Sequence, residues 1–337
     1  MNVLRLHNKG NFKLHQESAP IPQMDEVLLK VTAVGICGSD LTYFKQGNIG
    51  SVGLLTPLVL GHEFAGIIES VNLNGEHVAA DPAICCHNCS FCNAGHPNLC
   101  ENMRFAGHGE IDGGLREKLC WPKAFVYSLP YKFSSSDGVM LEPLGVALHA
   151  LDLGHIKPGM TIGIFGCGPI GLILIQLARI QGAGRIIATD PLSHRLDAAR
   201  SFGAIAIQAS EEGKEWEAVW AATRGRGVDI AFEAACNSMA VKTAIRTTRP
   251  GRQVILIGIP EDDHISFSAS IARRKALNIR LVRRMKHTYP RAIHLVKTGV
   301  VDVRSLVTHK FSLSEYEQAF EVAAKREGIK VIIEPNA

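Results

Sequence analysis

Long apolar runs are missing from this sequence, and aromatic side chains make up only 6% of it. The most apolar window, IGLILIQLA, ends at Arg179 and falls well short of the roughly 18 residues that cross a membrane. The first residues, MNVLRLHNKGNFKLHQ, contain no apolar segment typical of a secretory signal peptide. We therefore expect a soluble, cytoplasmic protein with no membrane partner.

A large net charge of either sign is also missing. The formal net charge is only +4, and the Lys- and Arg-rich stretch 273–286 has no aromatic side chains between its charges. Stacking aromatics usually accompany basic residues where a protein binds single-stranded nucleic acid, so we expect no nucleic-acid partner. What the chain does have is 337 residues, 46% of them hydrophobic, which is enough for two globular domains.

Cysteine is concentrated in one place, since five of the nine cysteines lie between positions 85 and 100. Cys86, Cys89, Cys92 and Cys100 follow the spacing C-x2-C-x2-C-x7-C, which lets four thiolates face one centre. Four thiolates fill the tetrahedral shell of a structural zinc ion and leave no position for a substrate. Disulfides and an iron–sulfur cluster are the alternatives, although a reducing compartment favours a metal over disulfides. Cys85 is interpreted as a bystander.

A second candidate metal set lies on both sides of this loop. The segment GICGSD contains Cys37, LGHEFAG contains His62 and Glu63, and EPLGVALHA contains Glu142. A thiolate, an imidazole and a carboxylate are a suitable set for a catalytic zinc ion that keeps one position for water or substrate. Each residue alone has an ordinary structural interpretation, so the prediction rests on their joint occurrence.

The segment TIGIFGCGPIGLILIQLARIQGAGRIIATD (161–190) predicts a dinucleotide site. Gly166, Gly168 and Gly171 form G-x-G-x-x-G at the point where an apolar strand gives way to a helical pattern. The three glycines allow a tight turn, close approach of the backbone to a pyrophosphate, and close packing of helix on strand. The helix N-terminus that follows also favours the negative charge of the pyrophosphate.

Asp190 bears on the choice of cofactor. It lies 19 residues beyond Gly171, at the end of the next predicted strand, where a carboxylate accepts hydrogen bonds from the adenosine ribose hydroxyls. A carboxylate in that place also repels a 2′-phosphate, so we expect NAD rather than NADP. Pro191 and Leu192 add no compensating charge, although Arg195 is close in sequence.

The remaining segments predict the fold class. Further strand-like segments follow at about 204–207, 228–232, 252–257 and 279–283. With 161–165 and the strand that ends at Asp190, they predict an α/β domain with a doubly wound, parallel, six-stranded Rossmann sheet. The first 130 residues show short alternating runs with many glycines and prolines, which predicts a β-rich, barrel-like domain. We expect the terminal segment from about residue 285 to return to that domain.

These motifs resemble those of the zinc-dependent medium-chain dehydrogenases/reductases, and within that group those of the sorbitol (polyol) dehydrogenase branch. The resemblance spans nearly the whole chain through GICGSD, PLVLGHE, the cysteine quartet, EPLGVALHA, GCGPIG and SLVTHKF. Alcohol dehydrogenases of the group usually have a cysteine where this chain has Glu142. The resemblance implies a GroES-like catalytic domain over 1–145 and 285–337 with its zinc loop at 85–100, a Rossmann domain over 146–284, and a homodimer or homotetramer.

The resemblance also implies roles for individual residues near the catalytic zinc. Cys37, His62 and Glu63 would hold the ion, and Glu142 would contact it directly or through its water. Whether Glu63 is a ligand or a close neighbour stays open. The proton would leave through Ser39 or through the zinc-bound water and Glu142.

Thr42 stands where many relatives have a relay histidine, so the exit route of the proton also stays open. Substrate contacts are expected from Tyr43, Phe105 and Arg284. The expected cofactor-binding residues are Gly166, Gly168, Pro169, Ile170, Gly171, Asp190, Arg195, Gly258 and Arg283.

The predicted activity is hydride transfer from a secondary alcohol of a polyol or sugar acid to NAD through a zinc alkoxide, in an enzyme with two zinc ions per chain. Bound zinc lowers the pKa of water from about 15.7 to about 7, an effect on the order of 10 kcal/mol. A positioned general base alone supplies only roughly 3–5 kcal/mol, so the metal dominates. A threonine-type or sugar-phosphate dehydrogenase on the same scaffold and a non-catalytic zinc- and dinucleotide-binding protein stay open as alternatives.

Overall fold

The chain folds into two compact units. The computed structural model describes residues 1–69, 75–210, 212–260 and 263–337. The first unit contains Met1–Pro143, Tyr289–Gly299 and Val303–Ala337, and the second contains Leu144–Thr288 and Val300–Asp302. Among the helices of the described residues, none is both long enough and apolar enough to cross a membrane.

The strands of the described residues are numbered here in chain order. They are β1 (Asn2–Asn8), β2 (Asn11–Gln16), β3 (Glu26–Gly35), β4 (Asn48–Ile49), β5 (Val52–Gly53), β6 (Glu63–Ile68), β7 (His77–Ala80), β8 (Ala83–Ile84), β9 (Arg104–Phe105), β10 (Lys118–Pro122), β11 (Val126–Ser128), β12 (Thr161–Phe165), β13 (Arg185–Asp190), β14 (Ile205–Gln208), β15 (Val228–Glu233), β16 (Thr248–Leu256), β17 (Asn278–Leu281), β18 (Val307–Ser312) and β19 (Lys330–Glu334).

The α-helices of the same residues are numbered in the same way, and three short 3₁₀ turns lie at Pro97–Leu99, Lys123–Phe125 and Leu313–Glu315. The helices are α1 (Gly38–Gln46), α2 (Ser90–Asn93), α3 (Ser135–Val139), α4 (Leu141–Gly154), α5 (Pro169–Ile180), α6 (Ser193–Ser201), α7 (Glu215–Ala222), α8 (Ser238–Thr247), α9 (Ala269–Arg274), α10 (Tyr289–Lys297) and α11 (Tyr316–Lys325).

The second unit is built on a parallel sheet with the strand order β14-β13-β12-β15-β16-β17. Counted from the first strand of this unit, the order is 3-2-1-4-5-6, which is that of a Rossmann fold. Every residue of β15 is buried, and β12 is buried after its first residue. Strands covered on both faces are rich in apolar residues, and here β15 also contains the buried acids Asp229 and Glu233. The predicted six-stranded parallel sheet is therefore confirmed.

Helix α5 packs closely on this sheet and begins directly after the turn that follows β12. Gly168 is its N-cap residue, and Pro169 occupies the first turn, where its missing N–H costs nothing. The eight residues from Gly171 to Ala178 are all buried. The helix N-terminus therefore stands at the carboxyl end of the first strand of this sheet, the place where such folds bind dinucleotides.

The first unit is organised around a second sheet, in which the described strands run in the order β11-β7-β6-β3-β19-β18, with β10 also paired to β3. Alternate residues of β3 are buried from Val27 to Val31, so this strand presents one face to the core. β3 pairs antiparallel with β6 and with β19. The predicted β-rich domain is confirmed, and its central strand has the chain's last strand as a neighbour.

Asp137 joins two distant segments of this unit. Its fully buried carboxylate accepts hydrogen bonds from the Ser134 backbone N–H at 2.8 Å and from the Ser134 hydroxyl at 3.0 Å. The Arg304 guanidinium donates to the same carboxylate from Nε at 2.9 Å and from Nη2 at 3.0 Å. The Ser134 hydroxyl accepts the Asp137 N–H in return, so the carboxylate caps α3 and also ties it to Arg304.

We expect Asp137→Ala to lower the free energy of unfolding by about 1–3 kcal/mol, because it removes the helix cap and a buried, charge-assisted hydrogen-bond set. Urea unfolding of the purified protein, followed by circular dichroism, measures the loss. Asp197→Ala is the matched control, since Asp197 pairs with Arg200 while 71% of its side chain is exposed. A loss for Asp137→Ala as small as that of the control would contradict the proposed contribution of Asp137 to the stability of the fold.

Candidate active site

The structure brings together the four cysteines of the 86–100 loop. The sulfur atoms of Cys86, Cys89, Cys92 and Cys100 lie within 4.8 Å of one another. The sulfurs of Cys86 and Cys100 are 3.5 Å apart, far beyond the roughly 2.05 Å of a disulfide, and all four thiols are free. Four sulfurs that share a zinc ion at about 2.3 Å stand about 3.8 Å apart, so the donor set fits a tetrahedral metal.

Backbone N–H groups point at two of these sulfurs. The Cys86 N–H donates to Sγ of Cys100 at 3.3 Å, and the Cys89 N–H donates to Sγ of Cys86 at 3.4 Å. Backbone hydrogen bonds from Asn88 and Cys89 lower the pKa of the Cys86 thiol to about 6. The loop therefore favours the thiolate form, which zinc binds, at Cys86, whereas desolvation raises the pKa of the Cys92 thiol to about 12.

A second group of side chains that could hold a metal ion lies at the central sheet of the first unit. Ligand atoms of Cys37, His62 and Glu63 lie within 4.8 Å of one another. Cys37 follows the end of β3, Glu63 begins β6, and the register pairs Gly35 directly with Glu63. The pairing of two strands therefore brings together ligands that are distant in sequence. The carboxylate of Glu142, in the first turn of α4, is not a member of this close group.

Asp40 holds this second group in place. Its carboxylate, 2% exposed, accepts the Cys37 N–H at 2.8 Å and the Gly61 N–H at 3.2 Å, and lies 3.5 Å from Nδ1 of His62. Because Nδ1 faces Asp40, Nε2 is the nitrogen that His62 can offer a metal. Burial alone would lower the pKa of His62, but the charges of Asp40 and Cys37 raise it well above its usual value.

Lys330 is the partner of Glu63, and the sequence analysis missed it. Its ammonium group, 3% exposed, lies 2.8 Å from Oε1 and 2.6 Å from Oε2 of Glu63, and 3.2 Å from the Ile36 carbonyl. Burial lowers the pKa of Lys330, but the charge of Glu63 outweighs it and the net shift is upward. A Cβ on Gly35 would stand 2.0 Å from Oε2 of Glu63, so only glycine leaves room for this pair.

Glu142 lies near the group without joining it. The carboxyl group is 6% exposed, and burial raises its pKa to about 7, with His62 opposing the shift and Glu63 adding to it. A carboxyl group with such a pKa can take up and release a proton near neutral pH. This residue is therefore suited to proton transfer.

The other predicted proton-route residues lie on α1. Ser39 is half-buried in the first turn of this helix. Thr42 lies in the same helix. Its hydroxyl donates to the Gly38 carbonyl at 3.1 Å, so it forms a bond within the helix.

An aromatic wall lies beside His62. The Phe105 ring centroid is 5.4 Å from that of His62, and the buried Tyr43 hydroxyl is 3.0 Å from Nδ1 of His108. Tyr43 and Phe105, both predicted to contact substrate, therefore belong to the same unit as the metal group. The sequence analysis missed His108. Arg284, the third predicted substrate residue, belongs to the second unit and has a left-handed backbone with φ 55°.

The second unit carries the predicted dinucleotide residues at the start of α5. A Cβ on Gly171 would stand 1.9 Å from the Gly166 carbonyl oxygen, which is the close helix–strand contact expected of the third glycine. Pro169 and Ile170 form the first turn of α5. Two further predicted residues of this unit follow later strands: Gly258 comes after β16, and the exposed Arg283 comes after β17.

Asp190 lies at the end of β13 and is held at the glycine turn. One carboxylate oxygen accepts the Cys167 N–H at 2.8 Å, and the other accepts the Leu192 N–H at 2.9 Å. Each oxygen can accept a further hydrogen bond, as ribose recognition requires. Nη1 of Arg195 lies 4.0 Å from the same carboxylate, so a cation stands beside the anion that is expected to select NAD.

Comparison with known proteins agrees with this geometry. An alcohol dehydrogenase GroES-like domain matches residues 23–131, and a zinc-binding dehydrogenase domain matches residues 169–298. The sorbitol dehydrogenase of Bacillus subtilis (strain 168) is 36% identical over 346 residues, which cover 100% of this chain and 98% of that protein.

Solved structures of two further proteins match almost completely. A protein of Escherichia coli CFT073 in complex with NADH superposes with a TM-score of 0.89 at 27% identity, covering 99% of both chains. A protein of Sinorhizobium meliloti 1021 bound to NADP gives a TM-score of 0.89 at 30% identity, also covering 99% of both chains. The chain belongs to the zinc-binding alcohol dehydrogenase family of medium-chain dehydrogenases, in its sorbitol (polyol) dehydrogenase branch.

Proposed function

We propose that this chain is an NAD-dependent zinc enzyme that oxidises a secondary alcohol of a polyol or sugar acid and holds two zinc ions. The observation that carries the proposal is the group of Cys37, His62 and Glu63, three different donors within 4.8 Å. Three protein donors are typical of catalytic zinc, whereas the four thiolates of the 86–100 loop are typical of structural zinc. Similarity to a sorbitol dehydrogenase supports a polyol as the substrate.

When bound, zinc would lower the pKa of the substrate hydroxyl, and NAD would accept hydride from the carbon that bears it. The residues of the chain hold these groups and move the proton. Cys37 and His62 would bind the metal, and Asp40 fixes which nitrogen of His62 faces it. Glu142, with a pKa of about 7, can take up the hydroxyl proton and pass it on near neutral pH.

The proposal also assigns a role to Glu63 in the metal group and one to Ser39 nearby in sequence. Glu63 can serve as a ligand while Lys330 donates to it, because each carboxylate oxygen has two lone pairs. Ser39, two residues after Cys37, is the second candidate for the first proton transfer. Thr42 is not assigned to the route, because its hydroxyl already donates to a carbonyl of its own helix.

The proposed preference for NAD rests on Asp190. Its buried carboxylate stands at the end of the second strand of the Rossmann sheet, where a 2′-phosphate would meet a negative charge. Arg195 beside it would favour that phosphate if the carboxylate were removed. The two residues therefore act in opposite directions on cofactor choice, and the carboxylate is expected to dominate.

A substrate panel tests the activity itself. Polyols, aldonates, threonine and hexitol phosphates are each offered with NAD, and the absorbance of the reduced cofactor is followed. We expect turnover of a polyol or aldonate, and a loss of at least about 10³-fold in kcat for Cys37→Ser, because the metal supplies most of the barrier reduction. Turnover of threonine or a phosphorylated hexitol alone would refute the proposed substrate class.

Zinc analysis by mass spectrometry tests the two metal sites. The purified chain should contain about two zinc ions, and Cys37→Ser and Cys92→Ser should each contain about one, because each change removes a thiolate ligand. Cys85→Ala is the matched control, since the Cys85 sulfur contacts the His87 ring at 3.6 Å and lies outside the quartet. One zinc in the unaltered chain, or one in the control, would contradict this assignment.

We expect Asp190→Ala to lower kcat/KM for NAD by about 10–100-fold and to raise it for NADP, because the ribose acceptor and the negative charge are both lost. Steady-state kinetics with both cofactors measure the ratio. Asp190→Asn separates the two effects, since it keeps an acceptor for the Cys167 N–H but removes the charge. Asp197→Ala, which changes an exposed acid of α6, should leave the ratio unaltered. An unchanged ratio in Asp190→Ala would mean that the carboxylate does not meet the ribose.

A further inference from the structure

A cavity of about 660 Å³ lies in the second unit and shares no residue with the sites described above. It is lined by residues 157–160 and by His155, Asp229, Arg252 and Gln253. Met160 directly precedes β12, and Asp229 is the second residue of β15. Because these strands are parallel, their first residues share one edge of the sheet, opposite the edge where the glycine turn follows β12. The cavity is large enough for a small ligand and is separate from the dinucleotide site.

A buried carboxylate organises the arginines at this cavity. Asp229 is 6% exposed, and its Oδ2 accepts the Thr161 N–H at 2.9 Å. Its Oδ1 lies 2.6 Å from Nη1 of Arg249 and 3.4 Å from Nε of Arg252. One carboxylate therefore meets two guanidinium groups. Arg249 compensates its charge, and the positive charge of Arg252, whose side chain is 40% exposed, is left in excess at the cavity.

Lys157 adds a second cation to the lining. Its side chain is exposed, and no carboxylate in the part of the chain that the structure describes forms an ion pair with it. The Met160 N–H donates to the Lys157 carbonyl at 3.2 Å, so the backbone of this lysine is held in a turn. The exposed His155 ring beside them can also donate a hydrogen bond. Arg252 and Lys157 thus give the lining a surplus of two positive charges.

A surplus of two charges suits a phosphate monoester, which carries about −1.5 to −2 charges at neutral pH. A guanidinium group also matches the geometry of phosphate oxygens, and a lysine ammonium group binds phosphate as a point charge. The cavity therefore has the charge and the donors for a small phosphorylated molecule.

Gln253 indicates what the rest of that molecule contains. Its Nε2 donates to the Gly154 carbonyl at 3.0 Å, which fixes the orientation of the amide group. Its Oε1 is buried and accepts no hydrogen bond from the residues that the structure describes. Buried polar atoms nearly always have a partner, so an acceptor in the lining of a cavity is suited to a donor on a ligand. A hydroxyl group supplies such a donor.

We propose that this cavity binds a phosphate monoester of a short polyol, with the phosphate against Lys157 and Arg252 and a hydroxyl group that donates to Oε1 of Gln253. Asp229 is a positioning residue, because it holds the Arg252 guanidinium group at the cavity. The inference goes beyond the proposed function and does not depend on it, since Rossmann folds bind their dinucleotide at the carboxyl ends of the strands.

Isothermal titration calorimetry tests the site. The purified chain is first saturated with whichever of NADH and NADPH it binds more tightly, so that the glycine turn is closed to phosphate. Glycerol 3-phosphate, inorganic phosphate and glycerol are then titrated separately. We expect glycerol 3-phosphate to bind with a Kd below about 1 mM, inorganic phosphate to bind more weakly, and glycerol to give no saturable heat.

Variants assign the binding to the cavity. The double variant Lys157→Gln/Arg252→Gln should bind both phosphates at least about 10-fold more weakly, because two charged contacts are lost. Lys242→Gln/Lys297→Gln is the matched control, since it removes the same net charge from exposed residues of α8 and α10 and should stay within about 2-fold. Gln253→Leu should weaken glycerol 3-phosphate roughly 3–10-fold and leave inorganic phosphate within about 2-fold, because only the hydroxyl contact is lost.

Circular dichroism shows whether each variant is folded. No saturable heat with glycerol 3-phosphate, unchanged affinity in Lys157→Gln/Arg252→Gln, or an equal loss in the control pair would overturn the site. An equal loss of both phosphates in folded Gln253→Leu would overturn the hydroxyl contact. Should that variant fail to fold, equal affinity of the unaltered chain for the two phosphates would do the same. Because heat is measured and not turnover, a failed substrate panel leaves this result unaffected.

Discussion

The Asp40 carboxylate is the constraint on which the proposed metal site depends. One buried anion accepts the backbone N–H groups of Cys37 and Gly61 and faces Nδ1 of His62, so it ties the loop after β3 to the loop before β6. Strand pairing brings those loops near each other, but it does not orient a thiol or an imidazole. A carboxylate 2% exposed is stable only with such donors, so the ligands and the anion require one another.

The ion pair of Lys330 and Glu63 connects the site to the completion of the fold. Desolvating two charges is costly, and their attraction repays that cost only when the geometry is good and the remaining donors are satisfied. Here the ammonium meets both carboxylate oxygens and the Ile36 carbonyl. Lys330 begins β19, which pairs with β3 beside Gly35. The charge of Glu63 is therefore compensated only after the last strand has joined the central sheet.

The sequence predicted what depends on short-range spacing. The cysteine quartet and the glycine turn are each contained within about one loop, and the buried parallel strands are short segments rich in apolar residues, so the sequence alone indicates them. Lys330 was missed because its partner is 267 positions away and a single lysine in an apolar strand has no periodic signature. The three-residue spacing of Cys37 and Asp40 is typical of a capping box. The sequence analysis did not use this spacing, although it indicates that the two residues contact each other.

The two metal groups differ in charge as well as in number of donors, and this difference indicates which one can do chemistry. Four thiolates more than neutralise a dication, so the loop group would be a net anion with little power to stabilise negative charge on a substrate. In the second group one thiolate and one carboxylate balance a dication, and Lys330 adds a positive charge against Glu63. With the buried Asp40 carboxylate counted as well, that group would be close to neutral, whereas the loop group would be a net anion, so the second group is better able to stabilise a developing negative charge on a substrate oxygen in a buried, low-dielectric setting. Lys330, which the sequence analysis missed, therefore contributes to the ability of this group to stabilise negative charge on a substrate.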